Sequence, residues 1–395
     1  MVSQKVREVE CTSPLSIAGY EPMYRVSQQF VSKPRSFNLH YLALTSSTMT
    51  ILCQREEVCP ENRSISANDS TISMYQFAKT PLTPTGYLIS SVYLTFVGIF
   101  ATAGNSLVIY VICRSPKFRS KPHNMLLLNM AVADGCISIF GYPFTTASGF
   151  AGQWLFGEIG CVICGFATFT FAMTSMNTLV CISIFRFLII CKPQYVITES
   201  RAIYSILATW GYSLLWTSPP LFGWSKYTFE PFGTSCTVDW VGRSVGEILY
   251  SICLIIFCFA GHLTIMTYCY TKIWQVTRKL DPHRISQGPA SLDQVMRAHT
   301  VQSEAKPTQI SMIMVGCFLI CWSPYAFISL WAALVAPPPA WLSPFPTFFC
   351  KASCALNPVI YTLTNSTFRN ALIAQCSRRL QRVGDRQIEV QQNRK

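Results

Sequence analysis

Seven stretches of this chain are long and apolar enough to cross a bilayer, at 86 to 113, 124 to 149, 158 to 190, 202 to 223, 246 to 273, 308 to 335 and 341 to 363. Inside hydrocarbon no water can satisfy a backbone N–H or C=O, so a spanning segment of about 20 residues has to be a helix. The expectation is an all-α membrane protein, a bundle of seven transmembrane helices with its termini on opposite sides. Composition agrees: half of the 395 residues are apolar or aromatic and only 12% are charged, about half the charged share of a soluble domain. The net charge of +13 sits in short segments between the apolar runs and not on one amphipathic face, which points to membrane topology and away from nucleic acid.

Lys and Arg set the orientation. The loop after the first span carries Arg114, Lys117, Arg119 and Lys121, the third loop Lys272, Arg278, Lys279, Arg284, Arg297 and Lys306, and the tail Arg369, Arg378, Arg379, Arg382 and Arg386. The opposite loops are poor in basic residues. A multi-pass protein of the plasma membrane follows, with its N-terminus extracellular and its C-terminus cytoplasmic. Residues 1–85 show no sustained period and read as a mostly disordered outer segment, with glycosylation acceptors at Asn62 and Asn68. They contain no clear cleavable signal peptide, so the first span is expected to act as the targeting anchor. The bundle covers 86–363. Residues 364–376 form a short amphipathic helix on the membrane surface, with Phe368 and Leu372 on one side and a palmitoylation candidate, Cys376, at its end. A basic tail, 377–395, closes the chain.

Polar groups in a bilayer are costly, and four spans keep one. They are Gly104-Asn105 in the first, "LNMAVAD" ending at Asp134 in the second, "CWSPY" from Cys321 to Tyr325 in the sixth, and Asn357-Pro358-Val359-Ile360-Tyr361 in the seventh. One alone reads as a satisfied helix contact; four in this order do not arise by chance. Pro324 and Pro358 each remove a helix hydrogen bond and let a span kink. Most of the 18 cysteines lie in apolar runs and read as small buried hydrophobes. No CxxC pair has a second pair or a histidine pair to match it, so no metal site is expected.

Together these motifs resemble the rhodopsin-like class of seven-helix, G-protein-coupled receptors over about 86 to 376. The resemblance implies that Asn105, Asp134, Asn357 and Tyr361, with the kink at Pro358, form a hydrated network that rearranges on activation. It also implies a disulfide between Cys161, at the outer start of the third span, and Cys236, in the long outer loop. Cys11, Cys53 and Cys59 stay unassigned.

Lys351 stands in mid-span in "TFFCKASCALNPVIY". From the residues alone it is a lysine snorkelling to an interface or facing a polar ligand cavity, although about ten residues separate it from the start of its span, a long reach for its stem. Its place six residues before Asn357-Pro358 is the spacing found in opsins. That resemblance implies that Lys351 carries retinal (retinaldehyde) as a covalent Schiff base, for which desolvation favours the attacking neutral amine. The protonated linkage is cationic and requires a carboxylate. Different opsins supply it from two positions. One is occupied here by Cys164, a weak partner; the other is Glu230, six residues before Cys236 in "GWSKYTFEPFGTSC". Glu230 is therefore the expected counterion, the alternative being a solvated loop acid. "EPFGTSCTVDW" and "FLICWSPYAFISLWAA" make the neuropsins, the opsin-5 group, the most similar opsins. Helix spacing and the family resemblance place Trp322, Tyr325, Phe318, Phe169, Ala172, Met173, Cys258 and Phe259 around the chromophore.

Two places depart from the pattern. Where the class has an acid, an arginine and a tyrosine, this chain has Phe185-Arg186-Phe187, so Glu304 at the base of the sixth span is expected to hold Arg186 across the bundle. The missing acid predicts either a looser off state or weaker G-protein control. His262 stands where most members have a proline, eight residues before Tyr270. A straight fifth helix follows, with His262 a hydrogen-bonded structural residue in preference to a pH sensor or metal ligand.

The function implied is a light-sensing receptor, not an enzyme, that activates a heterotrimeric G protein around Arg186 and Tyr270, with arrestin and a receptor kinase as further partners. A retinal photoisomerase with weak signalling and a receptor for another ligand remain alternatives. A light-driven pump ranks far lower, since microbial pumps lack this motif set.

Overall fold

The computed structural model describes residues 82–280, 291–339, 342–375, 377 and 381, without the side chain of Lys117. The expectations for Asn62, Asn68 and Cys376 lie outside the described residues.

Eleven α-helices up to residue 364, and a further helical stretch after it, make up the helical part of the described residues. The first span is α1, Pro84–Arg114, opened by Thr83, whose hydroxyl accepts from Gly86 N, and by Pro84 in the first turn. A short α2, Pro116–Arg119, leads into the second span, α3 (Pro122–Phe140) and α4 (Tyr142–Phe150). The helix is interrupted between them at Gly141, and Pro143 in the first turn of α4 has no N–H to continue the ladder. The third span is α5, Gly157–Cys191, and the fourth is α6, Glu199–Thr217, capped by the Thr198 side chain. The fifth runs through α7 (Val245–Cys253), a π-helical stretch (Leu254–Ala260) and α8 (Gly261–Lys279). The sixth belongs to α9, Leu292–Leu334, which starts at a Ser291/Gln294 capping box and contains Pro307 and Pro324. The seventh is in two pieces, α10 (Pro344–Lys351) and α11 (Ser353–Thr364). Residues 366–375 are helical again. There Phe368 is fully buried and sets its ring edge-on to Tyr361, 4.9 Å between centroids.

By length and apolarity alone five helices qualify as spans among the described residues. The fourth falls short because α6 is rich in Ser, Thr, Tyr and Trp, and the seventh because it is broken; both are spans by their place in the bundle, and the seven-helix expectation stands. Two expectations need correction. The fifth span is not a straight α-helix. Its π-helical turn displaces backbone carbonyls, and the Tyr212 hydroxyl donates to one of them, that of Phe257, at 3.2 Å. The fourth helix also ends at Thr217, followed by a 3-10 turn at Pro219–Phe222, and does not run on to residue 223.

The long outer loop folds into a hairpin over the bundle, β1 (Tyr227–Phe229) paired antiparallel with β2 (Cys236–Val238), with Phe229 opposite Cys236. The Cys161–Cys236 disulfide fastens it to the outer end of α5. Below it, Gly165 leaves space for Tyr227, to whose ring a Cβ would approach within 2.9 Å.

Candidate functional site: a buried lysine beneath the outer hairpin

The tip of the hairpin places the acid. Pro231 presets the backbone for a turn, the N–H of Gly233 returns to the Glu230 carbonyl at 2.8 Å, and Gly233 takes φ 75°, which costs glycine no steric penalty. The Glu230 N–H then pairs with the Ser235 carbonyl, also at 2.8 Å, so that Glu230 and Ser235 face each other at the end of the ladder. The disulfide beside them holds this end down onto the third span.

Lys351 rises from the break of the seventh span to meet that pair. Its Nζ donates to Ser235 Oγ at 2.7 Å. Glu230, only 5% exposed, lies on the other side of Ser235 and accepts from Thr347 Oγ1 at 3.3 Å through Oε1. Thr347 is one helical turn before Lys351, so the same helix presents the amine and steadies the acid. No direct ion pair joins Lys351 to Glu230 among the described residues; the Ser235 hydroxyl stands between them. Burial pushes the Glu230 carboxyl above the ordinary carboxylate range, against the opposing pull of the Lys351 charge.

The amine opens into a cavity whose walls come from the second, third, sixth and seventh spans and from the hairpin. Of the expected pocket residues, Phe169, Ala172, Trp322 and Tyr325 line it together with Lys351 and Glu230. Trp322 and Tyr325 meet edge-on, ring centroids 6.0 Å apart, and Trp322 Nε1 donates to Ser353 Oγ at 3.0 Å. The Tyr325 hydroxyl is held by Trp240 Nε1 at 2.9 Å and Thr237 Oγ1 at 3.0 Å, tying the sixth span to the hairpin. Phe318, Met173, Cys258 and Phe259 lie outside these walls; Phe318 stacks beneath Trp322 at 5.5 Å, and Met173 and Cys258 are buried in the core. Cys164 lines the cavity. Sequence reasoning missed Ser235, Thr347 and Tyr142. Thr347 was within reach, four residues from Lys351 on one helix face, whereas Ser235 and Tyr142 become neighbours of Lys351 only through the fold.

The residues of the activation set are joined as two groups. Asn357 Nδ2 donates to Asp134 Oδ2 at 2.8 Å, and Asn105 Nδ2 to the carbonyl of Cys354 at 3.0 Å, so the first, second and seventh spans share one polar centre. Nearer the inner face, Tyr361 donates to Asn124 Oδ1 at 3.4 Å, Ser183 to the Tyr270 hydroxyl at 3.4 Å, and buried Arg186 makes an ion pair with Glu304. His262 is buried, with Nε2 2.6 Å from Asn177 Oδ1. Because Asn177 Nδ2 already donates to Ser213 Oγ at 2.9 Å, its Oδ1 accepts and His262 donates.

The apolar walls and the single amine suit an elongated apolar aldehyde. Among the described residues Glu230 Oε2 is buried without a hydrogen-bond partner, as fits an acid arranged to face a cation formed at the Lys351 amine. These residues therefore fit retinal.

A family model described as 7 transmembrane receptor (rhodopsin family) matches residues 104–361. The chain is 33% identical over 294 residues to "Rhodopsin, G0-coupled" of Mizuhopecten yessoensis, covering 74% of this chain and 73% of that protein. It is 36% identical over 287 residues to "Opsin-5" of Homo sapiens, covering 71% and 79%. Among solved structures, squid rhodopsin matches with a TM-score of 0.66 at 28% identity, covering 74% of this chain and 85% of the other.

Proposed function

The chain belongs to the rhodopsin family of seven-transmembrane receptors and, within it, to the opsins, and on that premise we propose that Lys351 is the covalent attachment point of its retinal and Glu230 the counterion. It is a multi-pass, light-sensing membrane receptor, and its family consists of signalling proteins and not of enzymes. The observation that carries the proposal is that the Lys351 amine, bonded to Ser235 Oγ, and the buried Glu230 carboxyl, steadied by Thr347 of the same helix, line one apolar cavity together. Retinal, when bound as a Schiff base, supplies absorption of light and a change of shape. The protein's part is to hold the amine, present a carboxylate to the charge on the linkage, and exclude water with Phe169, Ala172, Trp322 and Tyr325. Trp322 and Ser353, hydrogen-bonded to each other, tie the sixth span to the seventh beside Lys351, one helical turn above the Asn357–Asp134 bond.

A heterotrimeric G protein is the proposed partner at the inner face, since the Mizuhopecten yessoensis relative is named as G0-coupled and an Arg186–Glu304 pair joins the third span to the sixth. Receptor kinase and arrestin are further proposed partners. The basic inner loops support an extracellular N-terminus and a cytoplasmic C-terminus in the plasma membrane. The decisive experiment is an absorption spectrum of the purified protein with each retinal isomer, before and after illumination. A band beyond that of the protein is expected, and Lys351→Ala should abolish it. A band that survives that substitution would reject the attachment.

A further inference from the structure

The seventh span breaks at the residue that carries the amine. α10 ends at Lys351 and α11 begins at Ser353. The N–H of Ala355 turns to the Ala352 carbonyl, at 3.1 Å, instead of reaching back four residues to Lys351. The Lys351 carbonyl thereby loses its helical donor, and a buried carbonyl left without one is destabilising. Two side chains take it up: the hydroxyl of Tyr142 and the thiol of Cys354, the latter at 3.3 Å. Hydroxyl and thiol are themselves 3.4 Å apart.

Tyr142 comes from another span, at the kink between α3 and α4, and is 4% exposed. Its place is prepared by Gly98 of α1, where a Cβ would lie 3.1 Å from the Tyr142 Cβ. On the far side, Asn105 donates to the carbonyl of Cys354 at 3.0 Å and fixes the second member of the pair. Both Tyr142 and Cys354 face the cavity.

We propose that Tyr142, with Cys354, is the positioning pair for the attachment lysine. By holding the Lys351 carbonyl at the break, the pair sets where the Lys351 Cα lies and the direction in which its stem leaves the helix, toward Ser235 and Glu230. A stem of four carbons is flexible, so its starting vector governs how often Nζ meets the hairpin. The proposal rests on Lys351 as the site of retinal attachment.

The test uses the full-length protein in membranes. Tyr142→Phe keeps the ring against Gly98 and removes only the donor. Retinal uptake in the dark should slow about fivefold and loss of the pigment band to hydroxylamine should quicken about fivefold, equivalent to about 1 kcal/mol, the usual worth of one hydrogen bond. The pH midpoint for protonating the linkage should fall by about 0.7 unit, the same free energy expressed as a titration. Cys354→Ala should move all three readings the same way by a smaller factor. A variant that only loosened the fold would lower yield and melting temperature while leaving the midpoint of the pigment that forms unchanged, and that result overturns the proposal, as do wild-type rates in Tyr142→Phe. If Tyr142→Phe does not reach the membrane, Cys354→Ala decides: a lowered midpoint supports the pair and an unchanged one overturns it. Absence of any band in the wild-type protein, or a band that survives Lys351→Ala, overturns the attachment itself and is told apart by that control.

Discussion

As the proposed counterion, Glu230 combines two demands at one residue, since it would have to be ionised to serve the linkage yet sits where burial opposes ionisation. With its carboxyl held above the ordinary range, the folded protein binds the proton more tightly than the unfolded chain does. The resulting stability is fully present below the unfolded carboxylate pKa and is lost as pH rises through the folded one. Melting of the retinal-free protein should therefore shift to lower temperature across that window, and Glu230→Gln should flatten the dependence. In the pigment, the same substitution should move a visible band to the ultraviolet; an unchanged spectrum would reject Glu230 as counterion. The type and spacing of Lys351 and Glu230 are readable in the chain, six residues from Asn357 and six from Cys236. Ser235 between them is not, because nothing local says that a hairpin tip and a transmembrane helix will meet.

At the scale of elements, the fifth span shows how a local irregularity is compensated by its neighbours. The π-helical stretch Leu254–Ala260 is supported by the Tyr212 bond to Phe257 and by the bond from His262 to Asn177, which links the fifth span to the third and, through Ser213, to the fourth. His262→Leu should lower stability by about 1–3 kcal/mol because it leaves Asn177 Oδ1 buried and unpaired, and Asn177→Leu in the same chain should recover part of that loss. Thermal denaturation in detergent measures both; strictly additive losses would show that the two residues do not act as a pair. The histidine itself was legible as a structural residue, but the widened turn was not. A missing proline says only what a helix no longer has to do, and the tyrosine that accommodates the π turn belongs to a different helix.

Across the whole molecule, the outer and inner faces are held by different means. Outside, a disulfide pins a hairpin over the cavity; inside, with Phe185 in place of an acid, the third and sixth spans are joined by Arg186 and Glu304. Removing one partner of a buried pair leaves the other charge uncompensated, and the bundle is then expected to favour whatever state solvates it. Glu304→Gln should raise G-protein nucleotide exchange in the dark while leaving the absorption band in place. Dark exchange no higher than that of the wild type would show that the pair does not restrain the receptor.

The sequence by itself determined the class of fold, since backbone groups in hydrocarbon admit only helices and the apolar runs are too many and too long for anything but a multi-span bundle. Resemblance to opsin motifs also marked Lys351, Glu230, the Cys161–Cys236 bond and the Arg186–Glu304 pair. Tertiary structure decided the rest: that the seventh span breaks at its lysine, that a serine of the hairpin takes the amine, that four of eight expected pocket residues face the cavity, and that Tyr142 from the second span closes on the Lys351 carbonyl. The division has one physical reason. Helix formation and membrane insertion are driven by local composition, whereas the partner of a buried polar atom is chosen by whichever element packs against it.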